Sequence, residues 1–269
     1  MSEHKEPSPG LYLDALFRSY RQKRSFADAA RDVYLAETSR VVVGRELIPH
    51  SGPFLAVANH FARFDNPLDK TGRFKMQDIF ASMGAVAELV KKQVGEETPV
   101  VWTPSMVPRP EAVLPQNASA RDVLDWMVGG KASLAAANLG REVFLQAFKH
   151  DPNMIPLPFE DRDKIPFFMA LRHKLSQGAV VGIFPEGDVS YVLEPAQPGM
   201  AILAARARVP TVPFAIYRDG NTLNVHVADP IEPPTSIKQR DAFTHHIMKT
   251  IANMLPQNLR GYYDEKGHA

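Results

Sequence analysis

The chain has 269 residues, of which 45% are hydrophobic and 23% are charged, with a formal net charge of +1 and no cysteine. This length fits one large domain, or one domain with an extension. The balanced charge gives no field that would attract nucleic acid, and the lack of cysteine excludes disulfides, thiolate metal sites and a cysteine nucleophile. The first ten residues are polar and no apolar run reaches the length of about 18 residues typical of a membrane span. We therefore expect no signal peptide and a cytoplasmic location.

Residues 1–38 are predicted to be an N-terminal extension with a polar tail and two amphipathic helices, at 11–23 and 26–37. The first helix has one apolar face with arginine and lysine around it. The residues of that face are Leu13, Leu16, Phe17 and Tyr20. Such a face is suited either to an anionic membrane surface or to packing on the rest of the chain. The sequence leaves both possibilities open.

Strands and helices alternate along residues 39–255, which predicts an α/β domain with a mixed, largely parallel sheet flanked by helices. The strands are predicted at residues 40–48, 53–58, 100–102, 154–157, 179–184, 211–217 and 223–228. The helices are predicted at residues 77–92, 120–127, 132–148, 166–178, 199–208 and 241–255. The long stretch 76–150 is predicted to be a helical insertion or cap, and residues 256–269 a C-terminal tail.

The first candidate site follows the apolar strand in residues 53–65, PFLAVANHFARFD. Asn59 and His60 come where the strand ends, and Asp65 follows His60 after four intervening residues. The carboxyl ends of strands are where open α/β sheets bind ligands. A carboxylate that holds one imidazole nitrogen leaves the other free to take a proton, so His60 and Asp65 suit a general base and its partner. Taken alone, this spacing is common, and a solvated polar turn explains it more often than a catalytic pair does.

A second apolar strand ends in a similar way in residues 179–190, AVVGIFPEGDVS. The strand breaks at Pro185, and Glu186 and Gly187 follow. Gly187 permits a tight turn and a close approach of the backbone to a ligand. Two buried strands that each deliver acid or base groups at their carboxyl ends predict one pocket built from both ends.

Together these stretches resemble the glycerolipid acyltransferase family, whose type member is lysophosphatidic acid acyltransferase. The family carries Asn-His-x4-Asp, Phe-Pro-Glu-Gly and Val-Pro-x-Val-Pro blocks in that order. The matching residues here run from Asn59 to Asp65, from Phe184 to Gly187 and from Val209 to Pro213. The resemblance implies that His60 is the base, that Asp65 is its partner, and that Glu186 and Gly187 bind the acceptor with Asn59 and Ser190. It also implies acyl-CoA or acyl carrier protein as donor substrate, a lipid acceptor, and a position at the periphery of a membrane.

One departure from the family pattern concerns the acceptor. The family commonly continues Phe-Pro-Glu-Gly with Thr-Arg-Ser, whereas this chain has Asp188, Val189 and Ser190. Valine carries no charge to bind a phosphate, and Asp188 would repel one. The family usually has a second phosphate-binding arginine before the Phe-Pro-Glu-Gly block, and Arg162 is the candidate for it in this chain. The acceptor is therefore either a lysophospholipid or a phosphate-free glycolipid or aminolipid.

Two further functions fit the same residues. A hydrolase would use His60 and Asp65 to activate water on an ester or thioester, and a lipid-binding module would bind the lipid without reaction. The absence of a Gly-x-Ser-x-Gly motif favours direct attack by the acceptor over an acyl-enzyme. No zinc, Walker or Rossmann spacing is present in the sequence, so no metal site and no cofactor is predicted.

Overall fold

The computed structural model describes residues 24–63, 76–103, 151–155, 157, 164–187 and 189–264. The predicted helices at 11–23, 120–127 and 132–148 lie outside the described residues, as do Asp65, Arg162 and Asp188. The helices are α1 Phe26–Leu35, α2 Met76–Val94, α3 Lys164–Ser176, α4 Gly199–Ala207 and α5 Arg240–Met254. The strands are β1 Arg40–Val43, β2 Phe54–Ala58, β3 Val100–Trp102, β4 Val180–Ile183, β5 Thr211–Asp219 and β6 Thr222–Val227.

The described strands form one six-stranded sheet in the order β1-β6-β5-β2-β4-β3. Strands β5, β2, β4 and β3 are mutually parallel, β6 runs antiparallel to β5, and β1 is parallel to β6. The sheet is therefore mixed and largely parallel, and helices cover it, which confirms the predicted fold class. The central strand β2 lies between β5 and β4.

Burial on both faces explains why β2 and β4 are continuous apolar runs. Every residue of β2 is buried, as are three of the four residues of β4. One face of the sheet packs against α1 and α2, and the other against α3, α4 and α5. Parallel strands that are covered on both sides have no solvent-facing side chains, so they lack the alternation typical of half-buried strands.

Segments near two of the predicted domain boundaries contribute to this core. The buried face of α1, which includes Phe26, Val33 and Tyr34, packs in the same cluster as α2, so the domain begins before residue 39. Helix α2 and strand β3 form the core and one edge of the sheet, so residues 76–102 are no insertion. The rest of the predicted insertion, residues 104–150, lies outside the described residues.

The other end of the chain also packs on the domain. Residues Gln257–Leu259 and Gly261–Tyr263 form short 3-10 helices, and Leu259 and Tyr263 are buried in the cluster that contains α5. Residues 256–264 are therefore part of the domain, where we predicted a tail. No helix among the described residues is both long and apolar enough to cross a bilayer.

Three local predictions differ from the structure. The strand predicted at 40–48, with a turn at Gly44, ends at Val43: Gly44 adopts a left-handed conformation with φ of 77°, as the turn requires, but a 3-10 helix follows it instead of more strand. The strand predicted at 154–157 is a single parallel bridge between Met154 and Trp102. Helix α3 begins at Lys164, two residues before Pro166. Proline is tolerated in the first turn of a helix, because the N–H groups there have no intrahelical partner.

Candidate functional site

The register of β2 against β4 brings the two candidate stretches together. Val57 pairs with Ile183 in parallel, so the two strands end at the same edge of the sheet. His60 and Glu186 each follow these paired positions by three residues. The backbone N–H of His60 donates to Oε2 of Glu186 at 2.6 Å. We call this edge of the sheet, with the residues that follow β2 and β4, the catalytic edge, after the role that the sequence predicts for it.

Asn59 fixes the end of β2 to β5. The backbone pairing of these strands reaches Ala58 and Phe214. Beyond it, the Ile216 N–H donates to Oδ1 of Asn59 at 2.7 Å, and Nδ2 of Asn59 donates to the Ile216 carbonyl oxygen at 2.8 Å. The side chain thus continues the ladder by one step and is buried, so Asn59 positions His60. Its predicted substrate contact stays a prediction.

Glu186 is a buried carboxylate that links two loops. One oxygen accepts from the backbone of His60, and Oε1 accepts from the backbone N–H of Glu194 at 3.1 Å. Burial raises the pKa of Glu186 to about 7, although the two backbone donors oppose this rise. Both oxygens are therefore engaged by the protein itself, and contact with an acceptor stays a prediction.

The imidazole of His60 lies flat on an aromatic ring. It stacks on Phe184 with ring centroids 4.4 Å apart and planes 4° from parallel, and Phe184 also stacks on Trp102 with centroids 5.2 Å apart. Trp102 is buried and crosses β4 at Gly182, where a Cβ would come within 2.7 Å of three atoms of the indole ring. Only glycine leaves room for this ring. Trp102 thus supports His60 through Phe184, a contact that sequence reasoning missed.

The Gly187 turn and Ser190 complete the catalytic edge. Gly187 is exposed with φ of 81°, and an added Cβ would meet nothing within 4 Å among the described residues, which therefore leave this side of the turn open. Ser190 is buried and pairs with the loop after His60. Its N–H donates to the His60 carbonyl oxygen at 3.0 Å, and its own carbonyl oxygen accepts from Ala62 at 3.1 Å. Ser190 therefore joins the two stretches through its backbone.

A buried charged network holds the same loop from the α2 side. Asp78, which is fully buried, accepts from the backbone N–H and Nε of Arg63, each at 2.9 Å. It also accepts from Nε of Arg218 at 2.7 Å, and Arg218 in turn donates to both carboxylate oxygens of Glu37. Between them, Arg63 and Arg218 thus pair with two carboxylates, those of Asp78 and Glu37. The bond from the backbone N–H of Arg63 to Asp78 fixes the chain three residues beyond His60. Sequence reasoning missed this network, for which the only signal is one acid in the apolar start of α2.

The third sequence block does not reach the catalytic edge. Thr211 and Pro213 lie in β5 opposite Leu55 and Val57, and the Pro210 carbonyl oxygen accepts from the Leu55 N–H at 2.9 Å. This block therefore builds the sheet beside β2. Asp65 and Arg162 lie outside the described residues, so the partner of His60 and the phosphate-binding arginine stay predictions.

Comparisons with known proteins give a weak likeness to solved structures and no match to a family or a curated sequence. No protein-family model matches the chain, and no curated protein sequence matches it significantly. Among solved structures, the chain is similar to the crystal structure of the 1-acyl-sn-glycerophosphate (LPA) acyltransferase PlsC from Thermotoga maritima, with 16% sequence identity and a TM-score of 0.46 over 90% of this chain and 88% of that one. A likeness at this level establishes neither a family nor an activity.

Proposed function

We propose that the protein is an acyltransferase that moves a fatty acyl group from a thioester donor, acyl-CoA or acyl carrier protein, to a hydroxyl of a lysophospholipid or related glycerolipid. One observation supports this more than any other. The backbone N–H of His60, just beyond the end of β2, donates to Glu186, and its ring stacks on Phe184, beside a glycine turn that the described residues leave open. This arrangement suits a fixed base with room for two substrates.

In the proposed reaction, the imidazole of His60 takes the proton of the acceptor hydroxyl as that oxygen attacks the thioester carbonyl. The tetrahedral intermediate then collapses, the C–S bond breaks, and the leaving thiolate receives the proton from His60. General-base help of this kind is worth about 10²–10⁴ in rate. Asp65 is proposed to hold the imidazole in the correct tautomer.

Direct attack by the acceptor agrees with the residues available at the catalytic edge. The chain contains no cysteine. Ser190 is buried, and its hydroxyl oxygen accepts from the Val192 N–H at 3.4 Å, which leaves it poorly placed to attack a carbonyl. We therefore propose no covalent acyl-enzyme.

A second candidate is transfer to an acceptor without a phosphate, such as a glycolipid or an aminolipid. Val189 is half-buried two residues beyond Gly187, at the position where the family that the sequence resembles commonly has an arginine. An apolar side chain there supplies no cation for a phosphate. The acceptor is bound from a lipid surface, so the protein is proposed to act at the periphery of a membrane.

The test is release of free CoA from palmitoyl-CoA or oleoyl-CoA with a panel of acceptors. The panel contains lysophosphatidate, glycerol 3-phosphate, a lyso-glycolipid and a lyso-aminolipid. We expect acceptor-dependent release that falls about 10²-fold or more in His60→Ala and stays unchanged in His246→Ala, an exposed histidine on α5. Activity confined to phosphate-free acceptors would select the second candidate.

Other outcomes would refute the transferase. Release that ignores the acceptor would indicate a hydrolase. Tight binding of acyl-CoA with no release on any acceptor, and none when an acyl carrier protein is the donor, would indicate a lipid-binding module. Equal activity of His60→Ala and wild type would remove His60 as the base.

A further inference from the structure

Two adjacent cavities lie at the edge of the sheet opposite His60. Their volumes are about 740 and 510 Å³, and both are lined by Arg206 and Arg208. The smaller one is also lined by Pro53, Ser176 and Val209, which lie at the amino end of β2, at the end of α3 and just before β5. The five residues of β2 span about 17 Å at about 3.3 Å per residue, so these cavities are well separated from the catalytic edge.

Cationic side chains dominate this surface, which we call the basic groove. Its cations are Arg172, Arg206, Arg208, Lys238 and Arg240. All five are exposed. Arg240 lies 3.6 Å from Asp241, the one carboxylate that lines the groove. The other four form no ion pair within the part of the chain that the structure describes, so the groove has a surplus of positive charge.

The backbone that carries these side chains is ordered by local hydrogen bonds. Lys238 lies in the 3-10 helix Ile237–Gln239, which begins with a capping box in which the Ser236 hydroxyl accepts from the backbone and Gln239 reaches back to the Ser236 N–H. Arg208 ends α4 in the left-handed conformation, with φ of 55°. The cations are therefore presented from fixed chain positions on both walls of the groove.

We propose that the basic groove binds a small molecule that carries two or more linked phosphates. Guanidinium groups match phosphate oxygens with paired hydrogen bonds, and four arginines line these two adjoining cavities. The volumes fall in the range of about 300–1,000 Å³ that is usual for small-ligand sites. A flat membrane surface fits a concave groove less well. The groove also offers a bilayer little apolar surface, because Ile237 is the one large exposed apolar side chain among the described residues that line it.

The first experiment measures binding of pyrophosphate and ADP to the full-length protein by isothermal titration calorimetry, without an acyl donor. We expect saturable binding that weakens as salt is added. Arg206→Gln should weaken it about tenfold, which corresponds to one charge-assisted hydrogen bond, and Arg206→Gln with Arg208→Gln should weaken it further. The matched control is Arg45→Gln, an exposed arginine beside β1 that forms no ion pair among the described residues.

Each other result would overturn the proposal. It fails if wild type binds neither pyrophosphate nor ADP, or if Arg45→Gln weakens binding as much as Arg206→Gln does. Binding to vesicles with anionic lipid that depends on Arg206, without binding of pyrophosphate, would indicate a membrane contact. Since no turnover is measured, the result is independent of the proposed acyltransferase.

Discussion

Glu186 shows how a single buried residue makes the stability of this protein depend on pH. Its pKa in the folded protein is about 7, raised by burial from an ordinary value of 4.5. The folded state therefore binds this proton more tightly than the unfolded state. Its contribution to stability is present below pH 4.5, decreases between pH 4.5 and 7, and stays level above pH 7. Over this window the loss is about 3 kcal/mol at about 1.36 kcal/mol per pKa unit.

We therefore expect the free energy of unfolding of wild type to decrease from pH 4.5 to pH 7, and that of Glu186→Gln to lack this component. A glutamine is neutral at every pH, so it has no proton to lose in this window. Urea unfolding at half-unit steps of pH would measure both proteins. Glu232→Gln, at an exposed carboxylate, is the control and should follow wild type. The same pH slope in Glu186→Gln and in wild type would contradict the raised pKa.

Asp78 is the residue on which we expect the fold to depend most strongly. It is fully buried and accepts hydrogen bonds from two arginines, Arg63 and Arg218. Asp78→Asn removes a charge from between them, and breaking a buried ion pair in this way costs about 3–5 kcal/mol. Urea unfolding would measure the loss. Asp32→Asn breaks the partly exposed pair with Arg24 and should cost less than about 1 kcal/mol. Equal losses in the two variants would show that the buried network does not stabilise the fold.

At the residue scale, sequence reasoning succeeded where a motif lies beside a strand. The sequence correctly predicts that His60 and Glu186 lie at one edge of the sheet, because an apolar run that breaks at a polar residue or a proline marks the end of a buried strand. The partners of these residues were not visible, because each contact joins distant parts of the chain. Asn59 bonds Ile216, which is 157 positions away, and Arg218 bonds Asp78, which is 140 positions away. No local pattern encodes a pair of that separation.

At the scale of elements, α3 is the helix best placed to meet a lipid surface. It ends at Ser176, at the amino edge of the sheet, and it packs along α4, so its first turns lie towards the catalytic edge. Ile165 and Met169 are four positions apart on this helix, with 69% and 66% of their surface exposed. Two large apolar side chains on one helical face, near the proposed lipid-binding site, are expected to insert into a bilayer surface.

We expect Ile165→Asp with Met169→Asp to reduce sedimentation with anionic lipid vesicles by about tenfold or more, since the burial of each side chain contributes about 1.5–3 kcal/mol. Ile237→Asp is the control, because Ile237 is exposed at the opposite edge. Vesicle sedimentation with matched lipid concentrations would measure all three proteins. If the double variant sediments like wild type, α3 does not face the membrane.

The elements that were well predicted are those whose own sequence carries a strong signal. Helix α1 has its buried residues in helical period, and β2 and β4 are apolar runs that end at a proline or a polar residue. Residues 154–157 failed as a strand because their pairing is limited to one bridge with Trp102, which depends on where β3 lies. The 3-10 helices after Met254 were missed because turns this short have no periodicity to detect.

At the scale of the whole molecule, strand order is what the sequence could not supply. The first strand, β1, pairs with the last, β6, and β2 takes the central place between β5 and β4. The alternation of helices and strands predicts an α/β sheet, but many strand orders satisfy the same alternation. The extent of the core was misjudged for the same reason, because α1 and α2 pack together although 40 residues separate the end of one from the start of the other.

The placement of α1 in the core gives a prediction for the whole domain. Deletion of residues 1–38 removes α1, whose buried apolar side chains include Phe26, Val33 and Tyr34. Full burial of side chains of this size stabilises by about 1.5–3 kcal/mol each, which together approaches the entire stability of a domain, about 5–15 kcal/mol. We therefore expect this deletion to abolish the cooperative thermal unfolding transition.

Deletion of residues 1–23 alone separates the two roles considered for the N-terminal segment. We expect this shorter protein to keep a cooperative unfolding transition, because α1 and its contacts with α2 remain. If the helix predicted at 11–23 docks on lipid, the same protein should sediment less with anionic vesicles than the full chain does. Unchanged sedimentation would refute docking by this segment and leave α3 as the candidate contact. A cooperative transition after deletion of residues 1–38 would instead show that α1 is dispensable and that the domain does begin near residue 39, as its sequence first suggested.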